Sequence, residues 1–482
     1  MRGMDLENIA RAVNGELFVR KAGDASSDET EKEASCVVID SRKLERGGIF
    51  VATKGERADG HSFIGQVLEK GALGVICEKK PDDENGNYIL VKDSFDALKR
   101  LAAYYRSLFD IPAIGIIGSM GKTSTKEMVA AVLSERYRVH KTEGNYNNEV
   151  GVPLTILGLR DEHEIAVIEM GINQFGEMTR LAKIVRPDSV VMTNIGPCHL
   201  EFLHDLDGVF RAKTEVFEYM TGKGRAILNG DDERLSSVKE VCGEKPIFYG
   251  LKDTLDVCAR RIENRQLNGT DAVFDINGEE LKVHIPLPGE HSAKNALAGA
   301  AAGYFYGLDA EEIRRGIANV KGVSGRLAPI KTESYLLIDD CYNANPTSMM
   351  NAIKLLADTG RSSGRKTGTA AVLGDMFELG EDSGKMHREV GCFAAEQGID
   401  RLITVGERSE GMYEAAKEVF LKENGDPSDI DKRLHHYRST EELLQAIDNE
   451  DLFKEGDTIL LKASHAMHFE KAVERLSGIG NG

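Results

Sequence analysis

The sequence predicts an α/β protein of three domains. Short apolar segments rich in Ile and Val alternate with segments of helical periodicity along most of the chain, as they do when helices cover a sheet. The pattern of these segments changes near residues 111 and 326, and a length of 482 residues suits about three domains of roughly 150 residues each. We therefore expect domains at residues 1–110, 111–326 and 327–482.

The N-terminal domain is expected to be small and mixed α/β. Apolar segments at residues 37–39, 49–51 and 75–77 are typical of short strands, and helical patterns separate them. The pattern changes at Ile111-Pro112, where we place the end of this domain.

The central domain is expected to contain a parallel sheet covered by helices. Four strand-like segments, at residues 114–117, 165–168, 189–192 and 226–228, are apolar without polar alternation, as in strands buried on both faces. Each of them leads directly into glycine or polar residues. Because ligands of open α/β sheets bind beyond the carboxyl ends of the strands, we expect these four ends to form a binding site.

The rest of the central domain has a different pattern. Residues 246–288 are expected to form antiparallel strands, with turns at Asn268-Gly269 and Asn277-Gly278. An alanine-rich helix is predicted over residues 292–304.

The C-terminal domain is expected to be a second, smaller, Rossmann-like sheet. Apolar segments at residues 335–338, 370–373, 401–405 and 458–461 alternate with helical patterns, which is typical of a parallel sheet with crossover helices.

The charge of the chain argues against a nucleic-acid partner. It carries 61 Lys and Arg against 79 Asp and Glu, a net charge of −18, and an acidic chain binds polyanions poorly. Any phosphate ligand must therefore be held by a local arrangement of donors.

The cysteines and the apolar segments indicate a cytoplasmic protein. The seven cysteines are odd in number and form no C-x-x-C pair, which is typical of a reducing compartment. Residues 1–20 are polar, unlike a secretory signal. No apolar run approaches the ~18 residues that a membrane span needs, so we expect no membrane partner, and we expect a monomer.

The segment Gly118-Ser119-Met120-Gly121-Lys122-Thr123 predicts a phosphate-binding loop. It lies between an apolar strand and a helical pattern, and a glycine loop at a helix N-terminus offers free amide donors to phosphate oxygens. In such a loop the lysine contacts the β- and γ-phosphates and the threonine hydroxyl binds Mg²⁺. The strict G-x-x-x-x-G-K-[ST] pattern is broken, because Ile116 stands at its first glycine position.

Two further side chains are candidate metal ligands. Glu169 follows a buried strand directly, and His199 lies in the loop after the next one. With Thr123 they would supply ligands for one or two divalent ions. Mg²⁺ takes oxygen readily and imidazole only occasionally, so Thr123 and Glu169 match it better than His199 does.

Two other positions have open interpretations from the residues alone. Lys213 lies in a helical pattern and is expected to be a surface lysine. Asp339 and Asp340 follow a strand of the C-terminal domain, where acids either cap a helix or lie near a nucleotide. We predict that Asp340 reaches the metal and nucleotide from the C-terminal domain, which implies domain closure during the reaction.

These motifs together resemble the ATP-dependent Mur ligases of bacterial cell-wall synthesis, over essentially the full length. The matching segments are Asp40-Ser41-Arg42, Asp59-Gly60-His61, the loop 118–123, residues 142–153 (TEGNYNNEVGVP), Thr193-Asn194-Ile195-Gly196, Gly289-Glu290-His291, Asn295, Gly325-Arg326, Tyr342-Asn343-Ala344-Asn345-Pro346 and residues 373–380 (LGDMFELG). The last two segments are most similar to the member of this family that adds a D-amino-acid dipeptide.

The resemblance implies an ATP-dependent amide ligase of cytoplasmic peptidoglycan precursor synthesis. ATP would phosphorylate the terminal carboxylate of UDP-MurNAc-tripeptide to an acyl phosphate, and the amine of D-Ala-D-Ala would displace the phosphate. Phosphorylation supplies the leaving group that a carboxylate lacks, and the protein positions the groups and neutralises charge.

The resemblance also implies roles for individual residues. The expected catalytic residues are Lys122, Glu169, His199 and Lys213. The expected ATP contacts are Gly118, Ser119, Gly121, Lys122, Thr123, Ser124, Asn295, Arg326, Asp340 and Asn343. The expected substrate contacts are Ser41, Arg42, Asn145, Asn148, Tyr342 and Asn345. The expected ligands of Mg²⁺ are Thr123, Glu169, His199 and Lys213. Lys213 would bind as a carbamate, and this role replaces the interpretation of Lys213 as a surface lysine given above.

Two departures and two alternatives stay open. Ala463 replaces the glycine of an expected Lys-Gly-Ser, and His204 stands where glycine is commoner. A ligase that adds the third peptide residue usually carries Asp-Asn-Pro-Arg, whereas Thr347 follows Asn345-Pro346 here; a folylpolyglutamate-type ligase is a related alternative. A nucleotide-binding module without ligase chemistry is the other, although the Asn-Lys-x-Asp motif of a GTPase switch is absent.

Overall fold

The computed structural model describes residues 1–20, 32–55, 58–81, 85–362, 368–424 and 427–478. The chain divides into two compact units. The first consists of Met1–Gly196, Leu206–Val257 and Ala298–Gly316, and the second of Pro197–Asp205, Cys258–Leu297 and Ile317–Gly482. Among the described helices, none has both the length and the apolar character to cross a membrane.

The described part of residues 1–110 contains a five-stranded sheet and three α-helices. The elements are α1 (Leu6–Val13), β1 (Glu16–Phe18), β2 (Val37–Val38), β3 (Ile49–Val51), α2 (Ile64–Glu69), β4 (Gly74–Cys77), β5 (Tyr88–Leu90) and α3 (Ser94–Ser107). The strand order is β1-β5-β4-β3-β2, with only β1 antiparallel to its neighbour. The three predicted strands are confirmed as β2, β3 and β4.

Residues 111–257 supply six parallel strands to the first unit. The elements are β6 (Ala113–Ile117), α4 (Lys122–Leu133), β7 (Val139–Lys141), α5 (Gly151–Leu157), β8 (Ile165–Glu169), α6 (Glu177–Val185), β9 (Ser189–Met192), α7 (Leu200–Leu203), α8 (Leu206–Thr214), β10 (Ala226–Asn229) and β11 (Ile247–Gly250); the short α7 belongs to the second unit. The strand order is β7-β8-β6-β9-β10-β11. Every residue of β6, β8 and β9 is buried, as expected of strands covered on both faces.

The predicted antiparallel character of residues 246–288 is wrong at its start. Strand β11 pairs in parallel with β10, with Ile227 opposite Ile247. Parallel pairing needs a crossover of a dozen or more residues, and residues 230–246 provide one.

The last two strands of that segment are antiparallel as predicted. Residues 257–318 form β12 (Val257–Asn264), β13 (Thr270–Ile276), β14 (Glu279–Ile285), α9 (Glu290–Phe305) and α10 (Ala310–Ala318). Strands β13 and β14 form a hairpin whose turn residues, Asn277 and Gly278, have φ of 51° and 91°. Positive φ at both positions is the requirement of a type I′ turn, which Asn-Gly satisfies.

Residues 328–477 of the second unit form a six-stranded sheet with helices. The elements are β15 (Ala328–Lys331), β16 (Leu336–Asp340), α11 (Pro346–Ser362), β17 (Thr369–Gly374), α12 (Ser383–Glu396), β18 (Arg401–Val405), α13 (Glu410–Asn424), α14 (Pro427–Arg433), β19 (Leu434–Tyr437), α15 (Thr440–Asn449), β20 (Thr458–Lys462) and α16 (Glu470–Ser477). The order is β15-β16-β20-β17-β18-β19, parallel except for β15.

This sheet is covered on both faces. Along β17, Ala371 and Leu373 pack in one apolar cluster, whereas Ala370 and Val372 pack in another. Because successive strand residues point to opposite faces, the two clusters lie on the two sides of the sheet. The predicted Rossmann-like sheet is confirmed, and the α/β fold class with it.

Candidate active site

The loop between β6 and α4 depends on two glycines. A Cβ at Gly118 would overlap the Oγ1 of Thr193, so no side chain fits there. Gly121 is the residue before α4 and has φ of 78°, a left-handed conformation that glycine adopts without strain. The loop therefore leads into the N-terminus of α4, where the positive end of the helix dipole favours an anion.

The end of β9 holds this loop in shape. The Ser119 amide donates to the Asn194 carbonyl and the Met120 amide to the Asn194 side chain, both at 3.0 Å. The Asn194 Nδ2 donates in return to the Met120 carbonyl at 3.0 Å. Asn194 therefore shapes the phosphate loop, a role that its place in a motif could not specify.

Two lysines converge on one carbonyl of the loop. The Nζ of Lys122 and the Nζ of Lys213 each donate to the Gly118 carbonyl at 3.0 Å. Lys213 is only 2% exposed, so the expectation of a surface lysine from the residues alone is wrong. Its position near the end of α8 turns it toward the loop. As unmodified side chains, the two lysines place two positive charges at the N-terminus of α4, which form a local anion site within an acidic chain.

Glu169 and Thr123 lie in contact at the carboxyl ends of the sheet. The Thr123 hydroxyl donates to Glu169 Oε1 at 3.1 Å, and Asn147 Nδ2 donates to the same oxygen at 2.7 Å. The other oxygen, Oε2, is buried and has no hydrogen-bond partner. Lys126 Nζ lies 3.9 Å from this oxygen, too far for a hydrogen bond, and a buried carboxylate oxygen without a hydrogen bond is costly unless a cation lies against it. A hydroxyl and a carboxylate are the hard donors that Mg²⁺ prefers, so these residues fit that ion.

His199 lies in the other compact unit. Its backbone is left-handed, with φ of 51°, and its Nδ1 is 3.4 Å from Glu378 Oε2. Its role as a metal ligand stays a prediction. Among the described residues there is no group of three or more His, Cys, Asp and Glu side chains that could hold a metal, so the candidate site depends on Thr123 and Glu169.

The loop between β7 and α5 carries two predicted substrate contacts. Asn148 Oδ1 accepts from the Gly151 amide at 2.8 Å and so caps α5. Asn145 is exposed, and its Oδ1 accepts from Asn147 Nδ2 at 2.6 Å. Ser124, a predicted ATP contact, lies in the first turn of α4 and is partly buried.

The two predicted substrate residues of the N-terminal domain differ in exposure. The Arg42 side chain is 83% exposed and pairs with Asp40 at 2.8 Å, and its hydrogen bonds lower the pKa of the Asp40 carboxyl to about 2. Ser41 is buried, and its carbonyl accepts from Lys70 Nζ at 2.9 Å. Arg42 is therefore the one that is accessible to a ligand.

Several predicted residues of the second unit lie at the carboxyl ends of β16 and β20. Asp340 accepts from Lys462 Nζ at 2.6 Å, and the same Nζ donates to the Asn343 carbonyl at 2.9 Å. Burial raises the pKa of Asp340, although Lys462 opposes the rise. The Arg326 guanidinium lies 4.2 Å from the centre of the Tyr342 ring, a cation–π distance.

The other two predicted residues of this unit are on helices. Asn345 caps α11, because its Oδ1 accepts from the Ser348 amide at 2.9 Å. Asn295 lies on α9 and is partly buried. Its contact with ATP stays a prediction.

Comparison with known proteins decides the family. The chain matches the Mur ligase family catalytic domain over residues 33–106, the Mur ligase middle domain over 116–303 and the Mur ligase glutamate ligase domain over 325–465. A relative from Bacillus subtilis, named UDP-N-acetylmuramoyl-tripeptide–D-alanyl-D-alanine ligase, is 38% identical over 474 residues, 98% of each chain. This chain belongs to the Mur ligase family, in its MurF branch.

Solved structures of MurF agree with this assignment. A crystal structure of MurF from Acinetobacter baumannii has a TM-score of 0.83 at 30% identity and covers 98% of this chain and 99% of its own. MurF from Thermotoga maritima, solved in complex with ADP, has a TM-score of 0.75 at 28% identity, with 92% and 97% covered. The expected resemblance to the Mur ligases is thus confirmed.

The two departures of this Mur ligase have local structural explanations. Ala463 follows β20, and a Cβ at Gly374 would lie 2.6 Å from its Cβ; the methyl group at 463 is accommodated because residue 374 is glycine. Ser464 keeps a contact of its own, since its Oγ accepts from the Phe377 amide at 3.0 Å. His204 has φ of 69°, a conformation that explains why glycine is commoner there.

Two lysines of this Mur ligase were missed as site residues. Lys126, in the middle of α4, is fully buried and lies 3.9 Å from Glu169 Oε2. Lys462 ends β20 and is 2% exposed. The sequence gives little indication that Lys126 is a site residue, because a lysine in a helix is usually at the surface. The indication is stronger for Lys462, which lies at the end of a buried strand, as other site residues do.

Proposed function

We propose that this Mur ligase joins D-Ala-D-Ala to UDP-MurNAc-tripeptide with ATP. The observation that carries the proposal is the arrangement around Gly118: the N-terminus of α4, two converging lysines, and the Thr123–Glu169 contact with a buried oxygen that lacks a hydrogen bond. Relatives in the MurF branch, whose names state this reaction, support the choice of substrates.

The first step transfers the γ-phosphoryl group of ATP to the terminal carboxylate of the tripeptide. A carboxylate oxygen forms the new bond to phosphorus, the bond to the β-phosphate oxygen breaks, and ADP leaves. Lys122 and the N-terminus of α4 bind the phosphate oxygens and stabilise the charge that moves onto them. Thr123 and Glu169 would hold Mg²⁺, which neutralises phosphate charge when it is bound.

The second step forms the amide. The neutral amine of D-Ala-D-Ala attacks the acyl carbon, the C–O bond to phosphate breaks, and the amine loses a proton as inorganic phosphate leaves. The net reaction consumes one ATP for each amide bond. The protein contributes mainly by holding the amine against the acyl phosphate and by excluding water, which would hydrolyse it.

We also propose that Lys213 acts as a carbamate. Its neutral amine would add to CO₂ and release one proton, which converts a cation into an anionic oxygen donor suited to Mg²⁺. Burial supports this, because desolvation disfavours the charged ammonium. As an unmodified lysine, the same side chain donates to the Gly118 carbonyl.

The remaining expected contacts are proposals of the same kind. They are the ATP contacts of Asn295, Arg326, Asp340 and Asn343, the metal contact of His199, and the substrate contacts of Ser41, Arg42, Asn145, Asn148, Tyr342 and Asn345. We further propose a cytoplasmic location, since the seven cysteines are odd in number and form no C-x-x-C pair. The monomeric state is a prediction that sedimentation measures directly.

A coupled ADP-release assay tests the proposed function. Repeated turnovers of ADP should occur only when UDP-MurNAc-tripeptide and D-Ala-D-Ala are both present, with one ligated product for each ADP. Repeating the assay with tripeptides ending in Lys and in diaminopimelate identifies the accepted substrate. Release that needs a single amino acid instead of the dipeptide would favour another type of ligase.

A further inference from the structure

A fully buried lysine lies beside the carboxylate that would hold Mg²⁺. Lys126 has no exposed surface, and its Nζ is 3.9 Å from Glu169 Oε2. It lies three residues after Thr123 in α4, and this spacing puts both side chains on one face of the helix. Neither the phosphate-loop pattern nor the expected substrate contacts assign it a role.

The hydrogen bonds of Lys126 go to the loop that follows β7. Its Nζ donates to the Thr142 carbonyl at 2.7 Å and to the Gly144 carbonyl at 3.3 Å. Residues 142–148, called the 142–148 loop below, carry the predicted substrate contacts Asn145 and Asn148. Hydrogen bonds from a charged donor are among the stronger ones in proteins, so Lys126 fastens the start of this loop to α4.

The same loop returns to Glu169. Asn147 Nδ2 donates to Glu169 Oε1 at 2.7 Å, and the Glu169 amide donates to Thr142 Oγ1 at 2.9 Å. Lys126, the loop, Glu169 and Thr123 therefore form a closed ring of contacts. A displacement of the 142–148 loop therefore moves Asn147, whose side chain orients the Glu169 carboxylate.

Charge balance alone does not explain Lys126. It pairs with Glu127 Oε1 at 3.0 Å, but Lys141 pairs with the other oxygen of the same carboxylate. Although burial raises the pKa of Glu127, the two lysines hold it below its ordinary value. Lys141 shares the acidic partner of Lys126, and within the described part of the chain its side chain makes no hydrogen bond to the 142–148 loop or to Glu169. It is therefore a matched control.

We infer that Lys126 is a positioning residue that couples the 142–148 loop to Glu169. The UDP-linked substrate binds the loop and Mg²⁺ binds Glu169. Each binding event then strengthens the other, because both stabilise the same arrangement of the ring. The inference rests on the proposed function for the identity of the two ligands. The contacts of the ring are independent of it.

Hydrogen exchange of the free protein tests the ring without any substrate. In Lys126→Met, the backbone amides of residues 144–151 should exchange at least tenfold faster, while amides of the second unit keep their rates. Lys141→Met should leave the loop rates within twofold of those of the unchanged protein. Equal loop rates in Lys126→Met and the unchanged protein would overturn the inference.

Steady-state kinetics tests the coupling. In Lys126→Met, the KM for UDP-MurNAc-tripeptide and the Mg²⁺ concentration for half-maximal rate should both rise at least tenfold, with the KM for D-Ala-D-Ala within threefold. A purely structural lysine would lower kcat through loss of folded protein and leave every KM in place, and this result would also overturn the inference.

A second variant covers the case in which Lys126→Met does not fold. Asn147→Ala removes the hydrogen bond from the partly exposed Asn147 to Glu169. It should raise both the KM for UDP-MurNAc-tripeptide and the Mg²⁺ concentration for half-maximal rate. Unchanged constants in folded Asn147→Ala would refute the coupling. A failure of the proposed function can be told apart from a failure of this inference. The unchanged protein would then lack ligase activity, while the hydrogen-exchange result for Lys126→Met would still hold.

Discussion

Replacing Lys462 by methionine tests the buried ion pair of the second unit. The Lys462 Nζ lies 2.6 Å from Asp340 Oδ2, and the two side chains are 2% and 12% exposed. At this distance, and with an effective dielectric constant of about 20, the attraction is about 6 kcal/mol. Desolvation offsets much of it, but removing one partner leaves the other charge buried and costs about 3–5 kcal/mol. We expect Lys462→Met to lower the free energy of unfolding by that amount at pH 7.5.

The loss should depend on pH in a defined direction. Burial raises the pKa of Asp340, and Lys462 opposes the rise, so the pKa is higher still in Lys462→Met. A carboxyl with a raised pKa in the folded state gives stability that is present below its unfolded pKa and is lost as the pH rises through the folded value. The penalty of the substitution should therefore shrink as the pH falls from 7.5 toward 5.

Urea unfolding at several pH values measures both effects. The control is Lys385→Met, which removes an exposed lysine that is 4.0 Å from Glu389 and should cost no more than about 0.5 kcal/mol. If Lys462→Met costs no more than this control at pH 7.5, or if its cost is the same at pH 5 and 7.5, the reasoning about the buried pair is refuted.

Three other substitutions address the catalytic residues. Lys122→Ala should abolish ligation and keep the fold, because the lysine stabilises negative charge on the phosphates. Near-normal ligation by a folded variant would show that Lys122 does not have this function. Glu169→Gln should raise the half-saturating Mg²⁺ concentration at least tenfold in a titration of ADP release, since an amide keeps the shape without the charge, and an unchanged midpoint would make Glu169 a structural acid. Lys213→Ala should be nearly inactive, with partial rescue by formate or acetate at fixed ionic strength; full activity without added carboxylate would refute the carbamate.

The strands of the fold were predictable where burial is complete. The segments that became β6, β8 and β9 are apolar on both faces, and nothing but the centre of a covered sheet accommodates them. Edge strands carry less signal. Strand β15 contains Pro329 and alternates in burial, and β19 is half-buried with two histidines, so neither has the continuous apolar pattern. The direction of β11 depends on the path of the preceding crossover, which composition does not specify.

The site was predictable at the ends of strands and much less so on helices. Glu169 stands out because a charge directly follows a buried strand. Lys126 and Lys213 do not, since a helical lysine has the same local pattern whether its helix turns it outward or inward. Only the packing of α4 and α8 decides their burial, and that packing involves residues distant in sequence. The resemblance to the Mur ligases singled out Lys213 but not Lys126.

The most direct measurement is the dependence of ADP release on the two substrates, followed together with the mass of the product. The proposed function predicts no ADP with D-Ala-D-Ala alone and at most one ADP for each active site with UDP-MurNAc-tripeptide alone. With both present, it predicts one ADP, one phosphate and one UDP-MurNAc-pentapeptide for each turnover. Continuous ADP release without D-Ala-D-Ala, or release with both substrates but no ligated product, would contradict it.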